Sequence, residues 1–136
     1  MTTGDTGRGP GDGSGETTKA APGPVVGVGA LVIKDGGVLL IQRGRFPGVG
    51  QWAIPGGKQA FGETLQQTAE REILEETGVR IEAGEPVYCF EALFDEQGEE
   101  WIPGNAGPPA HHYVVIDLEA IFLSGEATAG DDATDA

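Results

Sequence analysis

Three glutamates in a stretch of helical composition are the residues best placed to do chemistry. They are spaced i, i+3 and i+4 along the chain: Glu72, Glu75 and Glu76. At about 100° per residue, this spacing puts the three carboxylates on one side of a helix, within reach of one cation. Mg²⁺ typically takes one or two carboxylates together with phosphate oxygens. The spacing therefore predicts a magnesium site, which Mn²⁺ could also fill.

A solvated acidic face is the alternative interpretation of these glutamates. The predicted helix runs over residues 64–76, with Gly78 as its C-terminal cap. Three of its apolar residues, Leu65, Ala69 and Ile73, lie within about 100° of Glu72 and Glu76 on the helical wheel, and Leu74 lies on the far side. A face that only aids solubility would lie opposite this apolar stripe, so the arrangement favours the rim of a cleft.

The elements around the helix are predicted as strands and turns. Strands are predicted over 25–33, 38–42, 79–81, 86–94 and 112–122, with a turn at Asp35-Gly36-Gly37 and a polar loop over 97–109. One helix among many strands predicts a mixed α/β fold of the α+β type. Composition divides the chain into a Gly-rich disordered tail (1–24), one domain (25–123) and an acidic flexible tail (124–136).

Composition also narrows the class of partner. The formal charge of −14 and the pI near 4.2 argue against nucleic acid and against anionic membranes. Cys89, the single cysteine, lies in an apolar run, which favours buried packing over a reactive thiol. No apolar run reaches membrane-spanning length, and no secretory leader is apparent. We therefore expect a soluble, cytoplasmic protein; a homodimer is left open.

The spacing around the glutamates resembles the signature of the MutT/Nudix hydrolase family. Counted from Gly57, the match continues through Glu63 and then Arg71-Glu72-Ile73-Leu74-Glu75-Glu76-Thr77-Gly78-Val79. It spans 23 residues with nine constrained positions. Flanking segments, residues 52–57 and 112–117, are also similar to the family. The resemblance implies a mixed-sheet sandwich around a central catalytic helix.

The resemblance also implies a function and a set of residue roles. The implied enzyme is a Mg²⁺-dependent pyrophosphohydrolase acting on a nucleoside diphosphate derivative, most similar to ADP-ribose pyrophosphatases. A nucleoside triphosphate is the alternative substrate. The implied metal ligands are Gly57, Glu63, Glu72, Glu75 and Glu76, and the implied catalytic residues are Glu72, Glu76 and Arg71. Arg71 would organise the glutamates through salt bridges. The proton-accepting base is left open among Glu72, Glu99 and Glu100.

Substrate contacts are less strongly indicated by the sequence. Arg43 and Arg45 precede the signature by a short loop, so they are candidates to bind a phosphate or distal group, with solubilising loop charges as the equal alternative. Trp52 could stack on a base, although core packing is favoured. His111 and His112 should point to opposite faces of a strand, and a structural pair is favoured over a substrate contact.

The end of the chain departs from the family pattern. Family members usually continue after the region of Asp131 and Asp132 with another strand and a C-terminal helix, which this sequence is expected to lack. An exposed strand edge or apolar patch would follow. A catalytically silent binding module or a truncated product is therefore kept as an alternative to the active enzyme.

Overall fold

The structure, a computed structural model, describes residues 23–45 and 48–128 together with the backbone of Ala133–Asp135. The predicted tail over residues 1–24 falls almost wholly outside the described residues, as do Asp131 and Asp132. In chain order the elements are β1 (Val25–Lys34), β2 (Gly37–Val38), β3 (Ile41–Arg43), β4 (Trp52–Ala53), β5 (Gly56–Lys58), α1 (Leu65–Thr77), β6 (Arg80–Phe94), β7 (His111–Ser124) and β8 (Ala133–Asp135).

The strands form two sheets. Sheet A has the order β2-β1-β7-β6, with β5 also paired to β1; sheet B has the order β4-β3-β8. β1 and β7 run parallel, whereas β6 and β7 form a long antiparallel ribbon. Two short strands pair with the edge of β1 that faces away from β7. β2 pairs with Ile33 and Lys34, and β5 pairs with residues 27–29.

Helix α1 is fixed at both ends by local signals. The Thr64 hydroxyl accepts a hydrogen bond from the Gln67 N–H, and the Gln67 side chain accepts one from the Thr64 N–H. This capping box satisfies two of the N–H groups that a helix start leaves unpaired. Gly78 ends the helix with a φ of 80°, a left-handed conformation that suits glycine. The predicted helix is therefore confirmed to within one residue at each end.

Helix α1 covers one face of sheet A. Its Ala69 and Ile73 are fully buried among core residues of the sheet: Val28, Ala30, Val32, Ile81 and Leu118. Each buried aliphatic side chain contributes about 1.5–3 kcal/mol through loss of apolar surface from water. The helix therefore packs against the sheet, and its glutamates lie at the margin of the core. The predicted mixed α+β fold is confirmed.

The opposite face of sheet A carries exposed apolar residues. Ile33, Val38, Ile121 and Leu123 are each 46–63% exposed. Ile33 is the register partner of both Val38 and Ile121, so this part of the patch is contiguous. No helix within the described ranges is long and apolar enough to cross a membrane.

Three predicted segments differ from the structure. The strand predicted over 38–42 is divided, because Val38 pairs in sheet A and Ile41 begins the strand in sheet B. The strands predicted over 79–81 and 86–94 are one strand whose register shifts near Pro86. In the segment predicted as a flexible tail, Ala133–Asp135 forms β8 against β3, since strand pairing uses backbone groups and needs no apolar pattern.

Candidate metal centre

The candidate site is bordered by Gly56 and Gly57 at the start of β5, a pair called the turn below. Gly57 lies in β5 opposite Val28, and a Cβ at Gly57 would overlap the Glu72 carboxyl group. A Cβ at Gly56 would overlap the Val28 carbonyl oxygen. Both positions therefore require glycine so that the β5 backbone can approach the helix and β1 closely.

The three glutamates of α1 have different surroundings. The Glu76 residue is only 4% exposed, and its Oε1 accepts a hydrogen bond of 3.0 Å from the Gly56 N–H. The Glu72 side chain is 17% exposed and its Oε2 lies 2.7 Å from Arg71 Nη1. Glu75 is 48% exposed at its side chain and lies 3.4 Å from the same nitrogen. The helix thus presents one buried, one half-buried and one exposed carboxylate beside the turn.

The predicted convergence of these carboxylates is only partly observed. In the part of the chain that the structure describes, no group of three acidic, histidine or cysteine side chains is close enough to hold a metal ion as it stands. Like charges repel, so the carboxylates do not converge on one another. Glu72 instead pairs with Arg71, and Glu76 accepts a hydrogen bond from the Gly56 N–H. Glu72 and Glu76 nevertheless lie beside Gly57 and Gly56, whereas about half of the Glu75 side chain is exposed.

Arg71 links the helix to the loop before it. Its Nε and Nη2 donate to the two oxygens of Glu63 at 2.7 and 2.9 Å, a bidentate pair. Its Nη1 contacts Glu72 and Glu75, and its Nη2 also donates to the Lys58 carbonyl oxygen at 3.2 Å. The guanidinium therefore joins β5, the loop and α1, which is the organising contact that the sequence implied.

Glu63 is the anchor of this network and is a poor metal ligand as it stands. Its Oε1 also accepts from the Ala60 N–H at 3.1 Å and the Thr68 hydroxyl at 2.9 Å. The Arg71 hydrogen bonds, followed by that of Ala60, lower the pKa of Glu63 to about 2. The same pairing, led by Glu63, raises the pKa of Arg71. Both oxygens of Glu63 are thus already bound by donors.

The remaining oxygen donors suit a hard divalent cation. Carboxylates of Glu72, Glu75 and Glu76 and the carbonyl of Gly57 are the donor types that Mg²⁺ prefers. The absence of a Cβ at Gly57 leaves its backbone open to the Glu72 carboxylate. The Glu72 carboxyl group already lies against Gly57, so the residues present fit a magnesium ion.

The two predicted substrate arginines lie in and after β3. Arg43 closes a loop, because its N–H donates to the Gln51 carbonyl and its carbonyl accepts from the Gly50 N–H. Arg45 is exposed in that loop. Glu99 and Glu100 are exposed in the connection from β6 to β7, where the Glu99 N–H donates to Asp95 Oδ1. Arg43 ends strand β3 and the other three lie in loops, and all four are separate in sequence from β5 and α1.

Two side chains expected in the core are exposed. Trp52 in β4 is 53% exposed, and Cys89 on β6 is also exposed. β4 has only two residues and lies at an edge of sheet B. In β6, residues 85–91 are all exposed. Apolar character predicted burial, but the burial of a strand depends on what packs over it.

The sequence prediction did not single out Asp117, which the structure buries in β7. Asp117 is 9% exposed, and burial raises the pKa of its carboxyl group. The detectable signal was one acidic residue inside the apolar run from Val114 to Leu118. His111 and His112 take opposite faces as predicted: His111 stacks on Tyr113, and His112 lies 3.0 Å from Glu91.

Comparison with known proteins gives consistent results. The NUDIX domain model matches residues 23–134. An ADP-ribose pyrophosphatase of Methanocaldococcus jannaschii is 33% identical over 113 residues, which are 83% of this chain and 60% of the relative. An oxidized purine nucleoside triphosphate hydrolase of Danio rerio is 46% identical over 52 residues, 38% of this chain and 33% of the relative.

Solved structures share the fold. The crystal structure of a MutT NUDIX hydrolase from Burkholderia pseudomallei aligns with a TM-score of 0.67 and 32% identity, covering 84% of this chain and 80% of the other. The chain spans between about a third and three fifths of the length of the two curated relatives above. Sequence and architecture therefore agree on a family.

Proposed function

The chain belongs to the NUDIX domain family, and on that premise we propose that it is a Mg²⁺-dependent hydrolase of a nucleoside diphosphate derivative, with ADP-ribose as the first candidate. Water adds to one phosphorus and the P–O–P linkage breaks, so ADP-ribose yields AMP and ribose 5-phosphate. The observation that carries this proposal is the buried Glu76 carboxylate, held against the Gly56 N–H beside Glu72 at a turn that accepts no side chain.

Each residue of the turn and helix has a part in this proposal. Glu72, Glu75, Glu76 and the Gly57 carbonyl would hold the metal, and Glu63 would position Arg71 instead of binding the ion directly. Mg²⁺ bound there would neutralise diphosphate oxygens and lower the pKa of a bound water. Arg71 restrains Glu72 by charge-assisted hydrogen bonding, which keeps a half-buried carboxylate oriented toward the turn.

The proton of the attacking water needs a carboxylate acceptor. Glu72, Glu99 and Glu100 are the candidates, and glutamine variants separate them. Replacement of the base removes the ionisable group on which the acid side of the kcat–pH profile depends, whereas replacement of a bystander leaves the profile unchanged. Glu72 differs from the other two because it contacts Arg71 of the signature network.

The substrate is proposed from the relatives and from the loops. The Methanocaldococcus relative is named for ADP-ribose, and the Danio relative for an oxidised purine nucleoside triphosphate. ADP-ribose is ranked first because the former alignment covers most of this chain. Arg43 and Arg45 are proposed to meet the distal phosphate or ribose, since a guanidinium binds phosphate bidentately.

A substrate panel tests the function. Purified protein is incubated with Mg²⁺ or Mn²⁺ and with ADP-ribose, NADH, dinucleoside polyphosphates or nucleoside triphosphates, and released monophosphate is measured by chromatography. We expect AMP from ADP-ribose, and none when EDTA is present. A folded protein that releases monophosphate from no member of the panel would instead be a silent binding module. A chain without a folded circular dichroism signal would be a fragment.

A further inference from the structure

The buried carboxyl group of Asp117 has no role in the proposed metal centre. It lies on β7 at the register position of Gly29 on β1. A Cβ at Gly29 would come within 2.5 Å of Asp117 Oδ1, so the carboxyl group occupies the space that a side chain at position 29 would fill. Leu118, the next residue, is buried against α1, so Asp117 points to the other face of sheet A.

This carboxyl group lacks the partner that a buried acid normally has. It makes no hydrogen bond or ion pair within the residues that the structure describes, and desolvation alone accounts for the raised pKa of Asp117. Burial of an unpaired polar group is unfavourable. An unpaired carboxyl group that the fold nevertheless retains points to a ligand that supplies the missing hydrogen bonds.

An exposed aromatic ring lies beside the same carboxyl group. Tyr88 on β6 is the register partner of Asp117, so both side chains leave the same face of the sheet as cross-strand neighbours. Tyr88 is 62% exposed, and its ring centroid lies 5.8 Å from that of Phe90, which is 41% exposed. Exposed aromatic rings of this kind provide a surface on which a planar heterocycle can stack.

We propose that Asp117 and Tyr88 form the base subsite of this protein, in which adenine stacks on Tyr88 and its amino edge is hydrogen-bonded by Asp117. This inference rests on the proposed function, which it extends from the diphosphate to the base. The Asp117 carboxyl group has acceptor oxygens for a hydrogen bond from the amino group of adenine. That amino group would supply the donor that the buried carboxyl group lacks among the described residues.

The subsite is separated from the metal centre by strand β1. Gly29 pairs with Asp117 on one side and with Gly56 on the other, so two strand spacings, about 10 Å, separate the backbone of Asp117 from that of Gly56. Tyr88 lies one strand further along the sheet. The two sites lie on opposite faces of β1, so a nucleotide that occupied both would have to pass around the edge strand β5.

Equilibrium binding tests the subsite without requiring turnover. AMP and purine riboside 5′-monophosphate, which lacks only the amino group, are titrated by calorimetry into the full chain without metal. The unmodified protein should bind AMP about tenfold more tightly. Asp117→Ala should reduce this ratio to about one, while Asp117→Asn, whose amide oxygen also accepts a hydrogen bond, should keep it. Glu119→Gln, an exposed acid on the same face, is the control.

The Tyr88→Ala variant supplies a second readout. Loss of stacking should weaken both nucleotides about tenfold and leave their ratio unchanged. Equal binding of the two nucleotides by the unmodified protein, tighter binding of GMP than of AMP, or no AMP binding at millimolar concentration would each overturn the subsite. If Asp117→Ala does not fold, the AMP preference of the unmodified protein and the weakened binding of Tyr88→Ala still test the subsite.

The outcomes keep the two proposals apart. Hydrolysis of ADP-ribose with equal binding of AMP and its deamino analogue would leave the enzyme and remove the base subsite. Amino-dependent AMP binding without hydrolysis of any panel substrate would leave the base subsite and remove the proposed activity.

Discussion

At the scale of single residues, the site is defined by how differently similar side chains are held. Five acidic residues of this chain illustrate the range. Glu63 is saturated by donors, Glu72 rests on Arg71, Glu75 faces solvent, Glu76 is buried on one N–H, and Asp117 is buried with none among the described residues. Their chemistry therefore follows from their surroundings more than from their residue type.

Glu76→Gln tests the metal ligand with the least disturbance of the fold. The amide oxygen can still accept from the Gly56 N–H, but the variant lacks the negative charge that binds a divalent ion. We expect kcat for ADP-ribose to fall by about a hundredfold or more and stability to change by no more than about 1 kcal/mol. Glu70→Gln, whose parent carboxylate binds the Ala83 N–H, is the control. Near-normal turnover would contradict the metal site.

Gly57→Ala tests the close approach of β5 to the helix. The added Cβ would overlap the Glu72 carboxyl group, so the variant should lose most Mg²⁺-dependent turnover and some stability. Gly27→Ala is the matched control, because a Cβ there meets nothing nearer than 3.7 Å. Steady-state kinetics and thermal unfolding of both variants make the comparison. An active Gly57→Ala variant would show that the contact is dispensable.

At the scale of elements, sequence predicted what local signals specify. The ends of α1 were predictable because Thr64 and Gly78 act within one turn of the helix. The division at Val38 and Ile41, the exposure of Trp52 and the burial of Asp117 were not, since each depends on which strands meet across the sheet. The spacing of the glutamates placed them on one helix side, but their separate hydrogen-bond partners lie outside α1 or depend on side-chain rotamers.

The junction between the loop and α1 should make stability depend on acid pH. The pKa of Glu63 is about 2 in the fold against an ordinary value of 4.5, so its contribution to stability is present above pH 4.5 and lost as pH falls through about 2. Glu63→Gln removes that contribution. Urea midpoints at pH 5 and pH 2.5 should therefore fall less for Glu63→Gln than for the unmodified protein.

Glu82→Gln, which changes an exposed acid on β6, serves as the reference for that measurement. It should follow the unmodified protein through the same pH interval. Parallel loss of stability in Glu63→Gln and the unmodified protein would mean that the Arg71–Glu63 pair does not stabilise the folded state. The test concerns folding alone, so it is independent of substrate.

At the scale of the whole molecule, charge and exposed surface set the conditions under which the fold operates. A formal charge of −14 on 136 residues opposes compaction through self-repulsion. The open face of sheet A, around Ile33 and Ile121, adds exposed apolar area. Because repulsion between charges is screened by salt, the free energy of unfolding should depend on the surrounding ions.

Salt should therefore stabilise the protein, and magnesium should stabilise it further. Raising NaCl from about 10 to about 150 mM shortens the range of repulsion and should raise the unfolding midpoint by about 2–5 °C. MgCl₂ at equal ionic strength should give a larger increase, because a bound ligand stabilises the native state by mass action. The excess should vanish in Glu76→Gln. Equal shifts with both salts would indicate screening without binding.

The crossing of Gly29, Gly56 and Gly57 divides the molecule into parts with unequal freedom to vary. Backbone atoms meet there with no room for substituents, so almost any replacement disturbs several contacts together. The β6–β7 ribbon has the opposite character, because rings such as Tyr88 stand largely in solvent. Inherited changes in the proposed substrate preference should therefore accumulate along that ribbon, while the three glycines beside the proposed metal centre stay constant.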